Sequence, residues 1–266
     1  NANHRVRATI PAAWIAALVG LASVLSLQAT VLDDFNDNTK TGWTDSLGSP
    51  AGTVVESGAV FTITTAATSG SLTYSRKTAT NYSVAPGITL EFKVDVTSVT
   101  SGGSAPLKIL GWVPASGGSV LLANGYSVAV SQTDVTVYRD ATVLTNVTGL
   151  ALPNNNISIA LRMTGSGGAV TLNARVYQKI SPGVINNLGT CLAETTVEDS
   201  SGLFVAGNAA LGVKSQSAGA SSVAYDTLQV LNTATVVLDS FSSGPLDTAK
   251  WQVFAKNGPA GDTVTV

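Results

Sequence analysis

The sequence predicts an all-β fold, specifically a two-sheet antiparallel β-sandwich. Three observations point there. Apolar runs alternate with polar residues at period two, Gly, Ser, Asn and Asp punctuate the runs, and after residue 30 no segment sustains a helical period. Ile88, Leu90, Phe92, Val94 and Val96 share one face of a run whose other face is Thr89, Glu91, Lys93 and Asp95. Ile157, Ile159, Leu161 and Met163 alternate in the same manner with Ser158, Ala160, Arg162 and Thr164. An apolar face opposite a polar one marks an antiparallel strand packed on one side only. Roughly a dozen such short strands make a sandwich rather than a single sheet.

Taken in order, residues 1–29 have the layout of a secretory signal. Arg5 and Arg7 form a positive region, residues 14–27 an apolar one, and Leu27-Gln28-Ala29 a cleavage site before Thr30. The apolar run is shorter than the roughly 20 residues of a membrane-spanning helix. Secretion, to the medium or the cell surface, is the expected localisation. Strands are then expected at 59–65, 71–76, 88–96, 107–112, 126–130 and 135–139. Further strands are expected at 157–164, 169–180, 191–196, 209–213 and 223–231. Gly165-Ser166-Gly167-Gly168 and Arg139-Asp140-Ala141 each join two runs directly, which predicts hairpins. The opening Val31-Leu32-Asp33-Asp34-Phe35, with Trp43 after it, returns as Val237-Leu238-Asp239-Ser240-Phe241 with Trp251. That repeat predicts one β-sandwich over 30–235 and the first strands of a second over 236–266.

Composition removes several function classes. Only 11% of residues are charged, the net charge is -2, and no basic stripe occurs, so nucleic acid and anionic membrane surfaces are poor partners. The single cysteine, Cys191, makes no internal disulfide and reads as a small buried residue in a strand. The single histidine, His4, lies in the signal segment, so a Ser-His-Asp triad or a His-bearing zinc site is excluded after residue 29. The Gly-rich segments lack the Gly-Lys-Ser/Thr ending of a phosphate loop. Three sequons, at Asn81, Asn146 and Asn156, read as chance in a Ser/Thr/Asn-rich chain.

The Val-Leu-Asp-Asp-Phe opening, Trp43, the Val137-Tyr138-Arg139-Asp140 hairpin and the closing 224–230 segment (AYDTLQV) resemble the concanavalin A-like lectin/glucanase jelly roll. In particular they are similar to laminin-G-like modules of large secreted bacterial proteins. The resemblance covers 31 to about 232, and its motifs specify fold more than function. It implies that the first and last strands pair, which brings Asp33 and Asp34 near Asp226. It also implies one structural calcium. Asp34, Asn36, Asp37 and Asp226 are the candidate ligands, because Ca²⁺ takes 6–8 hard oxygens. The alternative is that these side chains simply cap backbone N–H groups of a turn.

Aromatic rings are the usual platforms for a sugar's apolar face. Trp43, Trp112, Tyr126, Tyr138 and Tyr177 are the candidates. Trp43 belongs to the opening motif and reads as a core plug, which leaves Trp112, Tyr126 and Tyr138 as the ligand-binding set. Trp112, between Gly111 and Pro114, is the one expected at the surface. Glycoside hydrolysis needs two facing carboxyl groups. The nearest arrangement, Glu91-Phe92-Lys93-Val94-Asp95, places a lysine between the acids and reads as a cross-charged outer face. The expectation is a non-catalytic binding or adhesion module for an extracellular polysaccharide or cell-surface glycan. A structural spacer repeat is the alternative, and a hydrolase is the weakest reading.

Overall fold

The computed structural model describes residues 30–78, 82–114, 125–179, 188–201 and 206–234. The expected signal segment, 1–29, and the expected second repeat, 236–266, lie outside them. The described residues contain no helix; they form two antiparallel sheets packed face to face.

The chain opens with β1 (Thr30–Asp33), β2 (Trp43–Ser46), β3 (Thr53–Ser57) and β4 (Val60–Thr64). β5 (Leu72–Lys77), β6 (Tyr82–Ser83), β7 (Ile88–Ser101) and β8 (Leu107–Pro114) follow. Next come β9 (Tyr126–Val130), β10 (Val135–Arg139), β11 (Thr142–Val147) and β12 (Ile157–Ser166). β13 (Ala169–Lys179), β14 (Leu188–Asp199), β15 (Ala206–Lys214) and β16 (Ser221–Ala234) complete it. The first sheet runs β14-β13-β12-β7-β16-β4-β3, with β1 also on β16. The second runs β11-β10-β9-β8-β15-β5-β2, with β6 also on β15. Neighbouring elements of the chain cross repeatedly between the layers, so most pairings are long-range.

Both expected hairpins form. β12 and β13 pair from Ile157↔Gln178 to Ser166↔Ala169, and the turn is Gly167-Gly168, at φ 55° and 105°. Two consecutive positive φ values make the tight turn whose twist matches the flanking strands, which glycine adopts without strain. β10 and β11 close through Asp140, at φ 51°, whose carboxylate accepts the N–H of Gly125 at 2.8 Å. The first and last strands also pair, with Thr30 opposite Val230 and Asp33 opposite Leu228.

The main core lies between the sheets. Leu90, Phe92, Val94 and Val96 of β7 meet Ile159, Leu161 and Met163 of β12 and, from the other sheet, Leu110, Val128 and Leu211. Trp43 fulfils its reading as a plug: its ring packs at 4.5 Å from Phe61 and 5.9 Å from Phe35. Tyr225 ties the layers together through a polar bridge. Its hydroxyl donates to the Gly212 carbonyl at 2.6 Å and accepts from the Ile109 N–H at 3.2 Å, while burial holds the phenol far above its usual pKa. One core position is cationic. Lys108 is fully buried, bonds Asn154 Oδ1 at 3.1 Å, and is pushed down to about 8 by desolvation.

Cys191 sits on β14 as expected of a strand residue, but exposed, with its thiol near the Ala193 carbonyl at 3.4 Å. It lies near the outer edge of the first sheet, where β14 ends the hydrogen-bonded order.

Candidate functional site

Two of the three expected sugar platforms are in the core. Trp112 and Tyr126 are 0% exposed. Period-two alternation along β8 places Leu110 and Trp112 inward, and the indole N–H donates to the Tyr82 carbonyl at 3.0 Å. A Cβ at Gly207 would lie 2.4 Å from the Trp112 ring, so glycine is what lets the indole lie flat against β15. The Tyr126 hydroxyl donates to Asp199 at 2.7 Å, and Asp199 also binds Arg139 at 2.8 Å and the Ser201 N–H at 3.1 Å. That network joins β9 and β10 of the second sheet to β14 of the first. The expectation of an exposed Trp112 is therefore corrected: Gly111 faces out, and the bulky neighbour faces in. Tyr138 does lie on the outer face, half-buried against a second apolar cluster of Tyr74, Ile109, Val113, Ala129 and Ala210.

The four calcium candidates are not gathered. Asp34 and Asp37 stay on the exposed turn after β1, where each accepts a backbone N–H two residues on, from Asn36 at 3.3 Å and Thr39 at 2.9 Å. Asn36 is exposed on the same turn. Asp226 is elsewhere. A bulge between Asp226 and Gln229 turns its carboxylate to the outer face of the first sheet, 3.5 Å from Lys179, which also binds Asp95 at 3.0 Å. Strand pairing thus brings the backbones together without bringing the carboxylates together. Asp33 has a cation already: Lys77 lies 2.6 Å from it, and the Trp43 indole N–H donates to the same oxygen at 2.8 Å. Among the described residues no three or more His, Cys, Asp or Glu side chains gather as a metal site.

Sequence reasoning missed Glu56. It pairs with Phe61 across the β3–β4 hairpin and so faces inward, 6% exposed. One carboxyl oxygen accepts the Thr39 N–H at 3.1 Å, and the other is buried without a partner. Burial, with a hydrogen bond donated to the Asp37 carboxylate and the nearby Asp33 charge, pushes its pKa up to about 7.

The Glu91-Lys93-Asp95 face is cross-charged as expected, with Glu91 on Arg162 at 2.5 Å and Asp95 on Lys179. Lys93 and Asp95 are nonetheless buried, and desolvation lowers the Lys93 pKa.

A concavity among the described residues lies at one end of the second sheet. Leu72 and Tyr74 of β5 and Ser46 of β2 point outward there, and with two loops they line a groove of about 400 Å³. Gly48 and Ser49 come from the first loop; Thr68, Ser69, Gly70 and Ser71 come from the second. Backbone bonds hold both loops. Gly52 N–H donates to Leu47 at 2.7 Å, Gly70 N–H to Ser215 at 2.9 Å, and Ser215 N–H to Ser71 at 2.9 Å. Gly48, at φ 76°, passes so close to β5 that a Cβ would meet the Leu72 carbonyl at 2.5 Å. The Ser71 hydroxyl is buried with no protein partner. No charged side chain lines the groove. Hydroxyls, loop backbone and an aromatic-aliphatic base suit a ligand that is itself a polyol with apolar faces.

No family model matches the chain, and no curated protein does. Solved structures do. Lectin II from Ulex europaeus aligns with TM-score 0.52 at 8% identity over 77% of this chain and 98% of its own; a structure of the lectin UEA-II is complexed with galactose. A lectin from Bauhinia forficata, in complex with GalNAc, aligns at 0.50 and 7% identity over 79% and 100%. The Emp47p carbohydrate recognition domain aligns at 0.50 and 11% over 79% and 99%. With these proteins the chain shares the concanavalin A-like jelly-roll fold.

Proposed function

We propose that the protein is a secreted, non-catalytic carbohydrate-binding module of laminin-G-like type, whose ligand is an extracellular polysaccharide or cell-surface glycan. The observation that carries the reading is the uncharged, hydroxyl-lined groove over Leu72 and Tyr74, with the Ser71 hydroxyl lacking a protein partner. The fold shared with lectins supports it, and residues 30–235 are one such module followed by a repeat of it.

The test is titration of the full chain against a polysaccharide panel, beside a variant with Thr68→Trp. Thr68 is exposed, so the new ring fills the groove without touching the core. Binding by the parent and its loss in the variant is the expected result. Binding that Thr68→Trp leaves intact refutes the location. No binding to any glycan favours the spacer reading, which the burial of Trp112 and Tyr126 also favours. A parallel run with a chelator tests calcium, because Asp34 and Asp37 remain exposed carboxylates on one turn. A fall in Tm there would assign them an ion.

A further inference from the structure

The cations of the described residues are almost all accounted for. Lys40, Lys77, Arg139, Arg162, Arg175 and Lys179 each sit on a carboxylate. Lys93 and Lys108 are buried. Lys214 is different: it is half-exposed, and among the described residues no carboxylate lies within ion-pair distance of it. A chain of net charge -2 that leaves this lysine unpaired has placed it at one particular spot.

Lys214 ends β15 directly opposite Leu72 of β5. Residues directly opposite in an antiparallel pair share a face, with Cβ atoms about 5 Å apart. Val213 is inward in the core, so Lys214 is outward, beside the groove that Leu72 lines. The next residue, Ser215, is bonded to Gly70 and Ser71, so the same strand end also fixes the groove's second loop. Beyond Tyr74 the next outward position of β5 is Arg76, half-buried and opposite Ala210. Arg76 has an interaction of its own, so Lys214 is the cation left at the edge of the groove. By the same alternation, β2, β5, β8 and β15 present no Asp or Glu on this outer face: Asp45 of β2 turns the other way and accepts the Ser75 hydroxyl at 2.7 Å. The uncharged groove thus has one unpaired cation, Lys214, at its edge and no acid on the outer face of the strands that carry it.

We propose that the groove selects an acidic polysaccharide, whose hydroxyls meet the Ser/Thr lining while a carboxylate or sulfate on the chain meets Lys214. This rests on the carbohydrate reading above and narrows it to a ligand class. An exposed ion pair contributes modestly, so Lys214 sets preference among glycans rather than binding as such.

The experiment measures affinity of the full chain for polygalacturonate and dextran sulfate against neutral dextran and laminarin, at low and high salt. The parent is expected to prefer one or both acidic polymers, and Lys214→Glu to weaken that binding about tenfold. Which polymer loses more tells carboxylate from sulfate. Arg162→Gln, on the opposite sheet and paired with Glu91, is the control and is expected to change nothing. Equal affinity for neutral and acidic polymers, unaltered by Lys214→Glu, overturns the proposal and leaves the carbohydrate reading standing. An equal loss in Arg162→Gln also overturns it, because the attraction is then general. No binding to any polymer overturns both.

Discussion

Replacing Glu56 by Gln tests how the turn between β1 and β2 is held. The glutamate is inward-facing and buried, and one oxygen lacks a partner. Its pKa is pushed up to about 7 from 4.5. A group whose folded pKa is raised holds its proton in the folded state over a range where the unfolded chain has released it. Its contribution is fully present below pH 4.5 and is lost as pH climbs through 7. At 1.36 kcal/mol per pH unit, ionising it at pH 8 costs the fold about 3 kcal/mol. Glutamine keeps the volume, accepts the Thr39 N–H in the same way, donates to Asp37 and never ionises. Asp37 itself titrates below its ordinary 3.8, outside this window. Urea unfolding at pH 5, 6, 7 and 8 should therefore show the parent losing stability across the series and Glu56→Gln holding level. The variant should be the more stable by about 1–3 kcal/mol at pH 8, or several degrees in Tm. A variant that follows the parent's pH profile would refute the assignment of that slope to Glu56.

Other consequences follow from the packing. Trp112→Ala should cost about 3–5 kcal/mol in unfolding experiments, since the ring is fully buried and its N–H bonded. Gly207→Ala should also destabilise, through a Cβ driven into that ring, readable as a lowered Tm. Tyr126→Phe leaves buried Asp199 with one donor fewer and should cost about 1–2 kcal/mol by the same assay. Lys108, depressed to about 8 by burial, should make parent stability rise with pH between about 8 and 10.5; Lys108→Met should abolish that rise.

The sheets were legible from sequence because burial on one face writes a period of two into the residues, and the β7 and β12 expectations rest on clean alternation. β7 runs to Ser101, beyond the expected 96, because its far end pairs with β16 where the alternation fades. β3 was missed: Val54 and Val55 are adjacent and Glu56 is polar, so inward Val54 and Glu56 give no readable stripe. Alternation also says which residues share a face but not which face meets the other sheet, and the Gly111 and Pro114 neighbours that place Trp112 at the surface carry no information on that choice. Asp226 was misplaced by a bulge, which shifts side-chain direction without marking the sequence. The groove was illegible for a different reason. Its loops, 46–49 and 68–71, read only as small-residue turns, and Leu72 and Lys214 are far apart in the chain until β15 pairs with β5.

The measurement that bears most directly on the groove is hydrogen–deuterium exchange of the full chain with and without saturating acidic polysaccharide. Protection concentrated in 46–49, 68–74 and 212–216 is the predicted result. Protection confined to other segments, such as 126–139 or the 34–42 turn, would contradict the placement of the ligand.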